Sequence, residues 1–382
     1  MKRAFAVLRP KLRKEREKRL FCFCKNGGLV LEDLIASFGA RYELPVRSFT
    51  AEEIIRATRN FSEQVRQTKI GDMFTGNMGK RLVLVQFYNG LGKDSRWNEN
   101  ASNRIIRDIV MSSQMRHLKN VLQLIGCCLE FEHPAMVYCY ATGTEFLIDC
   151  LNMPADDGKE ILSWRSRIKI ASDVANVLVY LHTAFSTPVI FGNLTIDKVI
   201  IDQFGDAKLF DFGLSISLPP GELKVENQLR WADVYTDPQC FKSYFVTQKT
   251  DVYSLGVLML MLLTGETDTV MYHTGIKRLI HIRKYVKGYL DNDQLNQIVD
   301  PKIMEEVGDN CVHELEQQLL AFLDLAFRCT EHEQTSRPDM IDAAKELRQM
   351  EKFVCHCSSI TKVSSKFFLF FWLGKRAAWA FL

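Results

Sequence analysis

Asp211-Phe212-Gly213 joins a carboxylate to an apolar side chain and then to a residue with no side chain. A carboxylate in such a turn can hold a divalent cation against phosphate groups. A phosphoryl-transfer centre then needs a base for the acceptor hydroxyl, a cation near the transferred phosphate and a second metal ligand. The stretch upstream reads Val189-Ile190-Phe191-Gly192-Asn193-Leu194-Thr195-Ile196-Asp197-Lys198-Val199. Its spacing to Asp211 fits a loop followed by two short strands. Asn193 stands where the base belongs, and a carboxamide takes up no proton near neutral pH. General-base help typically contributes about 10²- to 10⁴-fold. Thr195 puts no charge near the phosphate, and Lys198 stands where a metal needs a lone pair. An ammonium about 4 Å from a doubly charged cation costs several kcal/mol even at an effective dielectric of about 20. Lys198 can instead pair with Asp211 and occupy the metal position itself. These losses fall on one catalytic unit, so their penalties do not add.

The elements that must position these residues form a small, mostly β region followed by a larger helical one. Thr50, with Glu53 three residues on, reads as a capping box opening a helix that runs through Ile54, Ile55, Ala57 and Thr58 to Asn60-Phe61. Lys80 to Phe87 is a buried-strand run, Asn103 to Met115 is an amphipathic helix, and Val121 to Gly126 and Ala135 to Tyr140 are further strands. The total expected is five strands and one main helix. Ser163 caps a helix from Trp164 to His182. Asp251 to Leu263 is apolar all round and predicts a central buried helix. Residues 313–329 and 337–351 are two more helices. The organisation expected is a leader over 1–47, a small lobe over 48–140, a large lobe over 141–354 and an atypical tail over 355–382.

The chain has 382 residues, 47% hydrophobic and 25% charged, with a net charge of +3. These values are ordinary for a globular protein and give no global reason to expect nucleic acid. The leader is uneven: Lys2, Arg3, Arg9, Lys11, Arg13, Lys14, Arg16, Lys18 and Arg19 face only Glu15 and Glu17. It lacks the apolar region of a secretory signal, and no run of about 18 apolar residues predicts a membrane span. The expected location is the cytoplasm, including the inner face of the plasma membrane, with the 11 cysteines as thiols. The leader has two readings. It is a solvated helix against a partner, or a basic segment on anionic lipid with Cys22 and Cys24 as acylation candidates.

From about Phe49 to Val354 the chain resembles plant receptor-like cytoplasmic kinases close to the wall-associated kinases. The matching stretches are Ser48-Phe49-Thr50 to Asn60-Phe61-Ser62, Leu124-Ile125-Gly126-Cys127-Cys128-Leu129-Glu130, Tyr180-Leu181-His182, Lys249-Thr250-Asp251-Val252-Tyr253-Ser254-Leu255-Gly256-Val257 and Ser336-Arg337-Pro338. Together with Asp211-Phe212-Gly213 they imply an α+β, bilobal protein-kinase-like fold. The short leader, Asp108 in the first lobe's helix, Leu118-Lys119-Asn120-Val121 and the degraded loop most resemble the HopZ-ETI-deficient-related kinases, the ZRK group of plant immune pseudokinases.

The resemblance assigns each position a role. Of the glycine-rich phosphate loop only Gly71 remains, near the third glycine position. Gln86 holds the position of the phosphate-binding lysine, and Asp108 that of its glutamate partner; a Gln86–Asp108 hydrogen bond can still tie helix to strand. Lys69 is either a substitute lysine or a solvated loop residue, and Asp211 either a metal ligand or a structural turn residue. Tyr138 belongs at the back of the nucleotide cleft, Asp251 anchors the catalytic-loop backbone, and Phe212 and Gly213 shape the turn. Arg337 meets Asp237-Pro238-Gln239 where a Glu is expected, so its ion pair should give way to at most a neutral-acceptor hydrogen bond. That would leave the activation segment more loosely held.

The expectation is a catalytically inactive adaptor that needs no ATP or Mg²⁺. The resemblance implies that it bridges a coiled-coil NLR immune receptor and a second receptor-like cytoplasmic kinase modified by a bacterial effector. The activation segment, Leu214 to Thr236, would recruit the latter, with Ser215, Ser217, Tyr235 and Thr236 as partner-binding or modification positions. The alternative is a weak Ser/Thr kinase using Lys69 and Asp211.

Overall fold

The computed structural model describes residues 2–39, 44–67, 71–88, 101–153, 162–226, 237–273, 278–292, 294–304 and 312–357. Lys69, Tyr235, Thr236 and the tail beyond Cys357 lie outside them.

The first lobe is built from α1 (Lys2–Phe38), β1 (Arg47–Ser48), α2 (Ala51–Ala57), β2 (Gln64–Gln67), β3 (Asp72–Met78), β4 (Arg81–Phe87), α3 (Ala101–Gln114), β5 (Leu124–Cys128) and β6 (Ala135–Cys139). Its sheet has six strands, in the order β1-β5-β6-β4-β3-β2, and not five. The extra strand is the two-residue β1, which pairs parallel with β5; every other pair is antiparallel. The Thr50–Glu53 capping box forms as the residue spacing requires. Its helix nevertheless stops at Ala57, because Arg59, Asn60 and Phe61 take φ of 49°, 60° and 59° and turn the chain left-handed.

α1 corrects the picture of a leader surrounded by solvent. It lies against α3, with Cys22, Val30 and Leu34 buried. The Asn26 side-chain amide donates to the carbonyls of Leu129 and Phe131, each at 2.9 Å. Burial also removes Cys22 as an accessible acylation position, while Cys24 stays exposed.

The second lobe continues with β7 (Glu145–Phe146), α4 (Leu147–Asn152), α5 (Trp164–Thr183), β8 (Val189–Ile190), β9 (Val199–Ile201), β10 (Ala207–Leu209), β11 (Ile216–Ser217), β12 (Val225–Glu226), α6 (Pro238–Ser243), β13 (Phe245–Val246) and α7 (Gln248–Thr264). Beyond these the long helices Val312–Cys329 and Met340–Cys357 pack on α7 and α5. Ser163 caps α5 by accepting from the Ser166 amide. From Thr250 to Thr264 every residue of α7 is buried, as its all-round apolar pattern demands. β8, β9, β10 and β11 bracket the loop and turn that carry Asn193 to Lys198 and Asp211.

One expectation about this lobe fails. Arg337 keeps a full ion pair, donating to both oxygens of Asp237 at 2.6 and 2.8 Å, and both side chains are completely buried. Asp237 also caps α6 through the Gln239 amide and accepts from Gln334 at 2.7 Å. The carboxylate comes from two residues before the expected position, so the far end of the activation segment is anchored, not loosened. Removing one member leaves a buried charge without its partner. Arg337→Met is therefore expected to lower unfolding free energy by about 3–5 kcal/mol in urea denaturation.

Candidate functional site

The site lies where α3, β4, β6 and the Asp211 turn converge. Asp251, in the first turn of α7, organises the loop from below. Its two oxygens accept from the Phe191 and Gly192 amides, each at 2.8 Å, and His182 Nε2 lies 2.8 Å from Oδ2. Gly192 supplies the φ of +78° that this double contact needs. Phe191 then packs edge-on against Phe212, with ring centroids 5.3 Å apart.

Lys198 and Asp211 meet at the centre. Nζ lies 3.2 Å from Oδ2, an ionic contact outside hydrogen-bond geometry, and both side chains are buried. The ammonium also sits 5.6 Å from the centroid of the Phe191 ring. Asp211 adopts φ of +64°, a left-handed conformation that Asp tolerates better than most residues. Gly213 has a structural reason to be glycine: a Cβ there would lie 2.7 Å from the Arg104 carbonyl of α3. Gly71 has one too, since its Cβ would lie 2.6 Å from the Phe87 carbonyl.

On the α3 side, Asp108 is fully buried. Its Oδ1 accepts from the Phe212 amide at 3.0 Å and from Ser112 Oγ at 2.8 Å. The tie to Gln86 runs through Tyr138 and not directly. The Tyr138 hydroxyl lies 3.3 Å from Gln86 Oε1 and 3.5 Å from Asp108 Oδ2. Helix, strand and turn are thus joined through a carboxylate, a phenol and an amide, with the neutral Gln86 at the position of the missing lysine. Burial, and next the Asp211 charge, push the Asp108 carboxyl up to about 7. Arg104 is buried beside the same group, and the Asp211 charge opposes the fall in its pKa that burial causes.

A kinase-type fold implies Mg²⁺ and ATP, and this donor set does not fit the metal. One ligand position is an ammonium, the other carboxylate already holds it, and Arg104 adds a second positive charge nearby. Asn193 is half-buried and Thr195 Oγ1 is buried with no hydrogen-bond partner. Neither supplies a base or a cation.

The start of the activation segment is held by a residue that motif reading passes over. Arg107 of α3 donates to Ser217 Oγ at 2.7 Å and to the Ser215 carbonyl at 3.2 Å. The same guanidinium donates to Ser37 Oγ and lies 3.6 Å from Asp33 Oδ1, both on α1. Ser215 is turned inward, its hydroxyl donating to the Phe212 carbonyl at 2.7 Å. As a partner-facing or modified hydroxyl it is therefore inaccessible in this conformation. Ser217 is half-buried against Arg107. Further along, Leu223 projects from the segment, 82% exposed.

Residues 63–347 match the family described as protein tyrosine and serine/threonine kinase, and the chain belongs to it. It is 35% identical over 335 residues to the non-functional pseudokinase ZED1 of Arabidopsis thaliana, a match covering 86% of this chain and 96% of that protein. It is 34% identical over 349 residues to the serine/threonine-protein kinase ZRK1 of the same plant, covering 89% and 95%. With wall-associated receptor kinase-like 3 it shares 29% over 329 residues, 86% of this chain but 42% of that protein. Within the family the chain thus groups with the ZED1 and ZRK proteins, and it is an inactive, kinase-like member.

The raised Asp108 pKa fixes a pH dependence. Between the ordinary carboxylate pKa of about 4 and the folded value of about 7, the native state holds a proton that the unfolded chain has lost. Asp108 therefore contributes a loss of stability as pH rises through that window. Asp108→Asn keeps an Oδ1 acceptor for Phe212 and Ser112. Its melting temperature relative to wild type is expected to climb from pH 5 to pH 7.5, measured by calorimetry.

Proposed function

We propose that this chain is a catalytically inactive kinase-like adaptor of plant immune signalling, joining an NLR immune receptor to a second, modified receptor-like cytoplasmic kinase without using nucleotide or metal. The Lys198–Asp211 contact carries the reading, because it places a cation where phosphoryl transfer needs a metal. Asn193 and Gln86 support it from the base and lysine positions. The similarity to ZED1, named a non-functional pseudokinase, supports the same reading.

The recruiting element in this reading is the activation segment. Its base is fixed by Arg107 and by the β11–β8 pairing, and Leu223 offers an apolar anchor. A fixed base lowers the ordering cost of capturing a partner.

Two assays on the full chain test this. With radiolabelled ATP and Mg²⁺ or Mn²⁺, no transfer to itself or to a generic protein substrate is expected; robust transfer abolished by Asp211→Ala contradicts the proposal. In co-precipitation from plant tissue, replacing Leu214–Thr236 with an unrelated kinase's segment is expected to lose the kinase-like partner and keep the receptor. Leu223→Asp is expected to weaken the same partner at least about tenfold with an unchanged melting temperature. Retention of the kinase-like partner by the segment replacement contradicts the recruiting role.

A further inference from the structure

α1 is apolar on two opposite faces. The covered face carries Cys22, Asn26, Val30 and Leu34, spaced by four residues and packed on the first lobe. The other face carries Leu20, Cys24, Gly28, Leu31 and Ile35, spaced by three or four residues, so that they form one stripe. Leu20 is 64% exposed and Ile35 50%, and Phe21 at the stripe's edge is 68% exposed. At 1.5 Å per residue the stripe is about 22 Å long. A helix apolar on two sides has two surfaces to cover, and among the described residues only one of them is covered.

The charge around the stripe says what fits the other. Lys14, Lys18 and Lys25, all exposed, follow one edge of it together with the exposed Glu32, and Arg16 lies on the opposite edge; Lys18 also lies 3.8 Å from Glu132 of the lobe. Arg13 pairs with Glu17 at 2.9 Å, which offsets the acidic residue in line with the stripe just before Leu20. The turns before it add Lys2, Arg3, Arg9 and Lys11 with no acidic residue before Glu15. Two copies of this chain meeting along the stripe would bring like charges together. An apolar stripe with long cationic side chains on its borders matches an anionic lipid interface, where the stems lie along the acyl boundary and the charged heads reach phosphate.

We propose that the outer face of α1 seats the protein on an anionic lipid surface, with the Leu20–Ile35 stripe at the headgroup boundary and the basic residues against lipid phosphates. The orientation follows from the helix: its covered face holds the lobe and its opposite face meets the lipid. This proposal is independent of any catalytic or adaptor role.

The test is sedimentation of the full chain with phosphatidylcholine vesicles, with and without about 30% phosphatidylserine, at about 0.1 M and about 0.5 M salt. Binding is expected only to the anionic vesicles, falling at least about tenfold at the higher salt. Leu31→Gln with Ile35→Gln is expected to lose about tenfold or more at low salt, with an unchanged melting temperature because both side chains point away from the lobe. Lys14→Glu with Lys25→Glu provides a second, charge-only variant at two exposed positions and is also expected to release the protein. No binding to anionic vesicles, or binding that neither pair of substitutions weakens, overturns the proposal. A concentration-dependent dimer in light scattering that Leu31→Gln with Ile35→Gln dissolves also overturns it and assigns the stripe to a second copy. Loss of lipid binding leaves the phosphoryl-transfer and partner assays unaffected, so the two readings fail separately.

Discussion

The contact between the Lys198 ammonium and the Asp211 carboxylate is the constraint on which the centre of this molecule depends. Two opposite charges buried together cost desolvation and recover it only when both are well placed. Here the carboxylate is fixed by a left-handed turn and the ammonium by a short 3-10 turn, Ile196–Lys198, with the Phe191 face on its other side. The turn directs Phe212 inward against Phe191 and presents its amide to Asp108. An internal cation therefore stands where a kinase would hold an exchangeable one, and the turn keeps its shape through contacts within the chain.

The same logic runs through the rest of the scaffold. Asp251 gathers the catalytic-loop backbone, Arg337 and Asp237 close the end of the activation segment, and Arg167 pairs with Asp300 at 2.6 Å inside the large lobe. Each of these contacts joins one part of the chain to another. They secure backbone that lacks regular secondary structure, so they are needed whether or not the loop performs chemistry. A chain can lose its base and its phosphate lysine, which act on substrate, and keep these anchors, which act on itself. Arg107 extends the pattern by linking α1, α3 and the activation segment through one guanidinium. Any change in how α1 or the segment is held acts on the other through that residue.

Much of this was readable from residue order because the signals are local. The Thr50–Glu53 box, the Ser163 cap and the all-apolar run of α7 are each set by residues within a few positions of one another. The ammonium opposite Asp211 was also legible, since both positions lie in motifs with fixed spacing. What escaped depends on reach through space. Motif spacing puts the Arg337 partner at Gln239, whereas the carboxylate arrives from Asp237, which also serves as a helix cap. Tyr138 has the size of a packing residue, and only the sheet register places its hydroxyl between Gln86 and Asp108. Ser215 looks available in a polar segment, yet the tight turn after Phe212 folds it inward. α1 shows helical spacing in sequence, but which of its two apolar faces is covered is settled only by the carbonyls of Leu129 and Phe131.

The central claim concerns the cation at Asp211, and its most direct measurement is a calorimetric titration of ATP into the full chain with and without Mg²⁺, for wild type and for Lys198→Asn. Wild type is expected to gain no ATP affinity when Mg²⁺ is added. Lys198→Asn restores a neutral oxygen ligand and frees Asp211, so its affinity is expected to rise about tenfold or more on adding Mg²⁺. Magnesium-dependent ATP binding by the wild-type chain, unchanged by Lys198→Asn, would contradict the claim.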